Sequence, residues 1–303
     1  MNSKKLSLTL TTPLAACALA AGSLLSAYAQ PVVDGNLDSS YGSPLAVQTI
    51  NTGFGLAAGN NDSVGGSELD AAYGLIQGGN LYLFLAGNIE NNGNHLNIFV
   101  DGGMPGQSTL NAPATATLAT MNGSVFSPGF GATYAYDMND YQGTLYNEEY
   151  TYAGAGSLAG GYVGSVAESS TGIGAGTPSG GGYPAYAMIG LNNNHASTMG
   201  APGGAYSGGA SVMTGFEIEI PLSAIGYAGG NVEVLADING GGDSYLSNQF
   251  LPGLPVGTGN LGTPTFNFGN TPNEYFVVTV PEPSSLALLG LGVAGLSLIR
   301  RRK

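Results

Sequence analysis

The chain reads as an all-β protein: an antiparallel β-sandwich of jelly-roll type with glycine-rich loops, followed by one C-terminal transmembrane helix. Three observations predict this. Apolar residues run or alternate over a few positions at a time, between clusters of Gly, Asn, Asp and Ser, which is the pattern of strands and turns. No helical period is sustained before the tail. The 303 residues include 52 glycines, yet 43% are hydrophobic, with 17 Tyr and 10 Phe. That is enough apolar material to bury a core despite the entropic cost of ordering the glycines.

The strands follow in order. Leu81, Leu83 and Leu85 interleave with Tyr82, Phe84 and Ala86, so both faces are apolar, as for a strand buried inside a sandwich. Leu96, Ile98 and Val100 form the next strand, ending at Asp101-Gly102-Gly103. Strands are expected at 133–138, 144–152, 162–167 and 186–189. Phe216, Ile218 and Ile220 alternate with Glu217 and Glu219, which predicts one wet face. Pro221 to Ile225 reads as one helical turn with Pro at an early position. Strands at 232–236 and 275–280 close the domain. Glycine-rich stretches at 154–182 and 200–209 read as long loops or weakly registered edge hairpins. The organisation is a signal segment at 1–29, one β-sandwich domain at 30–279 and a C-terminal segment at 280–303.

Charge is unusually distributed. The six basic residues are Lys4, Lys5, Arg300, Arg301, Arg302 and Lys303, all at the ends. Of 19 acidic residues only Glu282 lies in the tail, so residues 30–279 carry 18 carboxylates and no Lys or Arg. A buried carboxylate there must use backbone donors, hydroxyls, protonation or a bound cation. Nucleic acid is excluded as a partner, because nothing can displace counterions from phosphates; polyanions are disfavoured for the same reason. Neutral glycans, divalent cations and basic partners stay open. The acidity also serves solubility alone. The single cysteine, Cys17, leaves the domain without disulfide or thiolate chemistry.

Lys4 and Lys5, the apolar run from Leu6 to Leu25 and Ala27-Tyr28-Ala29 form a secretory signal cleaved before Gln30. Export translocon and signal peptidase are the partners this requires. Leu14-Ala15-Ala16-Cys17 resembles a lipobox, which would instead lipidate Cys17.

The tail reads Val280-Pro281-Glu282-Pro283, an apolar stretch from Ser284 to Ile299, then Arg300-Arg301-Arg302-Lys303. It resembles the PEP-CTERM sorting signal. As a helix the 16 apolar residues span about 24 Å, short for a ~30 Å hydrocarbon core but tolerable with basic flanks. The basic cluster acts as the membrane stop on the cytoplasmic side. The resemblance implies an exosortase as partner, cleavage near Pro281-Glu282-Pro283, transient inner-membrane anchoring, and then the cell surface or extracellular matrix of a biofilm-forming Gram-negative bacterium. A permanent tail anchor is the alternative.

Val33-Asp34-Gly35-Asn36-Leu37-Asp38, the strands at 80–85 and 96–101, and Phe216 to Gly226 together resemble family-nine carbohydrate-binding modules and the related DOMON-like sandwiches. The resemblance implies the sandwich fold and an exopolysaccharide ligand. Those modules hold sugars between tryptophans, and this chain has none. Tyrosine offers a stacking face and a hydroxyl, so the candidates come from Tyr41, Tyr73, Tyr134, Tyr136, Tyr146, Tyr150 and Tyr152, with Tyr134, Tyr136, Tyr150 and Tyr152 the chosen set.

Asp237-Ile238-Asn239-Gly240-Gly241-Gly242-Asp243 spaces the oxygens of Asp237, Asn239 and Asp243 as calcium ligands. The same residues can bond to their own backbone in a turn, as can Asp101 and Asp34. No organic cofactor is called for. His95 and His195 lack the spacing of a helical zinc pair, and no nucleophile elbow occurs. Glu217 and Glu219 read as solvent-facing, and Glu148 and Glu149 as pointing to opposite faces. The chain is therefore expected to be a non-catalytic surface or matrix protein, with a carbohydrate-binding module as alternative and an exported glycoside hydrolase as the remaining enzymatic one.

Overall fold

The computed structural model describes residues 29–55, 66–154, 156–194 and 201–280. Two antiparallel sheets face each other. Their strands, in chain order, are β1 (Ala46–Val47), β2 (Glu68–Gln77), β3 (Asn80–Asn88), β4 (Asn92–Asp101), β5 (Tyr134–Tyr141), β6 (Thr144–Gly154), β7 (Ser157–Ala167), β8 (Ile173–Gly176), β9 (Ser179–Gly180), β10 (Met188–Asn192), β11 (Gly215–Pro221), β12 (Val232–Asn239), β13 (Leu246–Leu251) and β14 (Phe276–Val278). The smaller sheet runs β1-β2-β3-β11-β10-β8. The larger runs β13-β12-β4-β5-β6-β7-β9, with β14 also paired to β12.

The central core lies between the sheets. Leu81, Leu83 and Leu85 of β3 and Ile218 and Ile220 of β11 meet Leu96, Ile98 and Val100 of β4 and Tyr134, Tyr136 and Met138 of β5. These are the apolar phases of their strands, and period-two alternation puts each set on one face. The opposite faces are covered too. Residues 31–41 lie over the smaller sheet, where Val33 and Tyr41 join Tyr73, Tyr82 and Phe84. Residues 107–130 and 254–268 lie over the larger, where Phe99, Tyr150, Leu235 and Phe250 of its strands pack with Phe126 and Phe266.

Those coverings correct two expectations. Glu217 is fully buried and Glu219 is half-buried, so β11 has no open wet face. The N-terminal segment explains this: the Tyr41 hydroxyl donates to Glu217 at 2.7 Å, and the Asp34 and Gly35 amides donate at 3.0 and 3.2 Å. Residues 221–225 form a hydrogen-bonded turn instead of a helical one, with the Ala224 amide donating to the Pro221 carbonyl.

The described residues contain short 3-10 turns and no α-helix, and none of their segments is a helix long and apolar enough to cross a membrane. Residues 1–28 of the expected signal segment, the transmembrane helix, Pro281, Glu282, Pro283, Arg300, Arg301, Arg302, Lys303 and His195 lie outside the described residues. Val280 lies inside them, half-buried against the central core.

A tyrosine-flanked cleft over a buried acidic cluster

The candidate site lies on the outer face of the larger sheet. Its strands carry the same two-residue phase of polar side chains: His95 and Asn97 on β4, Asp137 and Asn139 on β5, Asp237 and Asn239 on β12. The register aligns them. Asn97 stands between Asp237 and Asp137, and His95 between Asn239 and Asn139. Asp137 in turn faces Glu148 on β6, and Glu148 faces Tyr162 on β7. One step along, Leu235, Phe99, Ala135 and Tyr150 form a parallel apolar row. The outer face is thus divided into a polar half and an apolar half.

The turn Gly241–Asp243, between β12 and β13, folds back over the polar half. Asp243 sits there with φ +53°, in the left-handed region that Asp tolerates better than most side chains, and it is completely buried. The Nδ2 group of Asn97 donates to Asp243 Oδ1 at 2.9 Å and to Asp237 Oδ1 at 3.2 Å. Two carboxylates therefore converge on one amide. The second oxygen of each, and Asn97 Oδ1, are buried without a hydrogen-bond partner. His95 Nδ1 lies 2.7 Å from Asp137 Oδ1 and 3.8 Å from Asp243 Oδ1.

Electrostatics reflect the crowding. Burial pushes Asp237 up to about 8; the Asn97 amide opposes this and the Asp137 charge adds to it. Asp243 is pushed well above the carboxylate range, first by burial and then by Asp137. Burial alone would lower His95, but Asp137 first, then Asp243 and Glu148, push it up to about 9. The backbone amide of Gly242 points at His95 Nε2 at 3.1 Å. A backbone donor cannot rotate away, so the geometry holds Nε2 as an acceptor and Nδ1 as the donor toward Asp137, against the pull of the surrounding carboxylates toward the doubly protonated ring. The charge of the aspartates must then be relieved by protons or by a cation.

Above this cluster opens a cleft of about 290 Å³, lined by His95, Thr117, Asp137, Asn139, Tyr146, Glu148 and Tyr162. Tyr146 and Tyr162 are exposed on its flank, with ring centroids 6.5 Å apart and planes inclined by 35°. Glu148 accepts from the Thr117 amide and hydroxyl at 3.1 and 3.0 Å and from the Tyr150 hydroxyl. A second cleft, of about 190 Å³, involves Glu149, Tyr183 and Tyr186. Glu149, held by the amides of Tyr186 and Ala187, points to the other face of β6 from Glu148, as alternation requires.

The predicted site residues are only partly gathered here. Asp237 and Asp243 come together, but Asn239 does not join them: its Oδ1 accepts the Gly240 and Tyr245 amides at 2.9 Å each, the turn alternative. Asp101 and Asp34 likewise bond within their own turns, to Gly103 and Asn36. Tyr134 and Tyr136 are completely buried in the central core and Tyr150 in the outer core, so none presents a face for stacking. Tyr152 is half-buried beside Gly226, away from the cleft. Of the wider tyrosine set, Tyr41 and Tyr73 are buried and Tyr146 is exposed in the cleft. The partners missed from sequence are Asn97, Asp137, His95 and Tyr162. The signal was present in the repeated pattern His95-x-Asn97, Asp137-x-Asn139 and Asp237-x-Asn239, out of phase with the apolar residues of each strand.

Fold and site define a class: an all-β antiparallel sandwich that carries an open, tyrosine-flanked cleft over buried carboxylates. The family comparison adds its destination. Residues 279–303 match the PEP-CTERM protein-sorting motif, which marks an exported protein sorted by exosortase and anchored transiently in the membrane before processing. No curated protein and no solved structure matches the chain.

Proposed function

We propose that this protein is a non-catalytic component of an extracellular matrix that holds a neutral saccharide of the exopolysaccharide in the Tyr146/Tyr162 cleft. The observation that carries the reading is the cleft itself. Two exposed aromatic faces stand beside Asn139, Thr117, Asp137 and Glu148, a mixture of stacking surface and hydrogen-bonding groups suited to a sugar's apolar face and its hydroxyls. The absence of Lys and Arg from residues 30–279 argues against an anionic saccharide and is compatible with a neutral one. The likeness to family-nine carbohydrate-binding modules supports the same reading, with tyrosine in place of tryptophan. The N-terminal signal at 1–29 would deliver the chain to the export translocon, and the sorting segment would deliver it to the surface or matrix.

A glycoside hydrolase is disfavoured. It needs two carboxyl groups flanking the scissile bond. Asp137 and Glu148 are cross-strand neighbours on one floor, and each is already held, by His95 and by Thr117 with Tyr150.

The test is electrophoresis of the purified protein through native gels cast with neutral polysaccharides. Retardation is expected for the wild type and for Tyr183→Ala, and loss of retardation for Tyr146→Ala and Tyr162→Ala. Base–aromatic stacking offers the scale: about 1–3 kcal/mol per ring, which is enough to abolish a weak shift. Equal retardation of all four proteins would remove the cleft from the account.

A further inference from the structure

Beneath the cleft, three side chains from two strands and a turn approach one another closely enough to share an ion. His95 of β4, Asp137 of β5 and Asp243 of the Gly241–Asp243 turn each offer one ligand atom, and these atoms all lie within 4.8 Å of one another. His95 Nδ1 is 2.7 Å from Asp137 Oδ1 and 3.8 Å from Asp243 Oδ1. Bonds of about 2.0–2.2 Å to one ion place its ligand atoms roughly 3–4 Å apart, so the set needs little movement to close on one. All three residues are buried, and Oδ2 of Asp243, a completely buried residue, has no hydrogen-bond partner. An unpaired buried acid oxygen is costly, most of all when charged, and residues 30–279 supply no Lys or Arg to answer it. Asp237 is tied to the group through the Asn97 amide and is not one of the three.

We propose that His95, Asp137 and Asp243 form a binding site for one first-row divalent metal ion of the zinc class. The donor set is the reason for the class. One imidazole and two carboxylates suit zinc and its neighbours, whereas calcium takes oxygen donors alone. His95 and Asp137 also line the open cleft, so the ion has a path from solvent, and water can complete its coordination. The ion takes the place of the Nδ1 hydrogen now directed at Asp137, and the ring keeps its other hydrogen on Nε2. The surrounding carboxylates already favour positive charge on this ring, and the doubly protonated form they favour carries the same Nε2–H. That hydrogen needs an acceptor. The Asn139 amide nitrogen lies 2.8 Å from Nε2, and a half-turn of the amide puts its oxygen there instead. The Gly242 N–H, 3.1 Å from Nε2, must swing aside. It has room to do so: Gly242 is exposed, and nothing stands within 4 Å of the position a Cβ would take. Uptake is thus linked to a small shift of the turn that carries Asp243. The site differs from the loop spacing seen in the sequence: it keeps Asp243, drops Asp237 and Asn239, and recruits His95 and Asp137 from two other strands.

The site does not depend on the saccharide reading and is tested without any sugar. The whole protein, stripped with chelator, is titrated with zinc chloride by calorimetry, with calcium chloride in parallel. Saturable uptake of one zinc per chain is expected, with a higher unfolding temperature in zinc than in chelator and no uptake of calcium at the same concentrations. His95→Gln and Asp243→Asn should each weaken zinc uptake by more than about tenfold, since loss of a mere outer partner already costs about that much. Asp237→Asn, beside the site but outside it, should weaken uptake less than either, and His195→Gln should leave it unchanged. In protein carrying nitrogen-labelled histidine, magnetic resonance should show zinc at Nδ1 of His95 and hydrogen at Nε2. That spectrum and the wild-type titration stand even if a variant fails to fold. Lack of saturable zinc uptake overturns the proposal, as does calcium bound in preference, zinc taken up with the His95 ring unchanged, or uptake indifferent to both the His95 and the Asp243 substitution. Each of those results would leave protons as the way the charge of the cluster is relieved.

Discussion

A domain without Lys or Arg shows what a buried carboxylate needs. Glu217 is the clearest case. Burial raises it to about 7, while the Tyr41 hydroxyl and the amides of Asp34 and Gly35 offset part of that push and the Asp34 charge adds to it. The sign follows from linkage: a carboxyl raised in the folded state contributes stability that is full below its unfolded pKa and is lost as pH rises through about 7. Glu217→Gln mimics the protonated acid. It should flatten the fall in stability between about pH 4.5 and 8 and gain up to roughly 3 kcal/mol over the wild type at the upper end. Chemical denaturation of both proteins across that range checks it, and parallel pH profiles would contradict it. At this scale the sequence was informative about type and poor about partners. The want of countercharge, the pair Asp237 and Asp243 and the opposed directions of Glu148 and Glu149 could be read directly. Asn97 and Asp137 could not be joined to them, because alternation gives the face of a strand without naming its neighbours.

At the scale of elements, strands with clean apolar phases, such as β3, β4 and β11, were legible, and several others, β2 and β13 among them, were not. β2 (Glu68–Gln77) mixes Glu, Asp and Gly with small apolar residues, yet most of its side chains are buried because both its faces are covered. β13 (Leu246–Leu251) has Ser, Asn and Gln at its centre, and these are buried through hydrogen bonds such as Asn248 to the Asn51 and Thr258 carbonyls. Polar strands satisfied by loops carry no period that sequence reasoning can find. The covering of β11 by residues 31–41 was equally hidden, although both participating segments carry recognisable patterns. Gly35 shows how close that contact is. It has φ +78°, and an added Cβ would collide with the backbone of Asn192 and Leu191. Gly35→Ala should therefore destabilise by about 2 kcal/mol or more, through both strain and collision. A thermal unfolding midpoint unchanged from the wild type would show that the segment docks loosely.

Across the whole molecule the dominating fact is the charge of residues 30–279, formally about −18 with His neutral. Such a domain repels itself, so added salt should stabilise it. Raising sodium chloride from low concentration to about 0.5 M should lift the unfolding midpoint by a few degrees, because the screening length shrinks well below the domain's dimensions. A midpoint that ignores salt would mean that the buried acids are neutral or ion-bound and that the surface acids are too dispersed to matter. The same charge repels anionic polymers, while the sorting motif at residues 279–303 directs the chain toward export. Both facts agree with the proposed neutral glycan and argue against an anionic one. The central claim is tested most directly by calorimetric titration of the purified protein with exopolysaccharide isolated from the producing organism. The account predicts saturable heat that is lost in the Tyr146→Ala, Tyr162→Ala double variant. Flat titrations of a correctly folded wild type would contradict it and leave a sorted β-sandwich whose cleft holds no sugar.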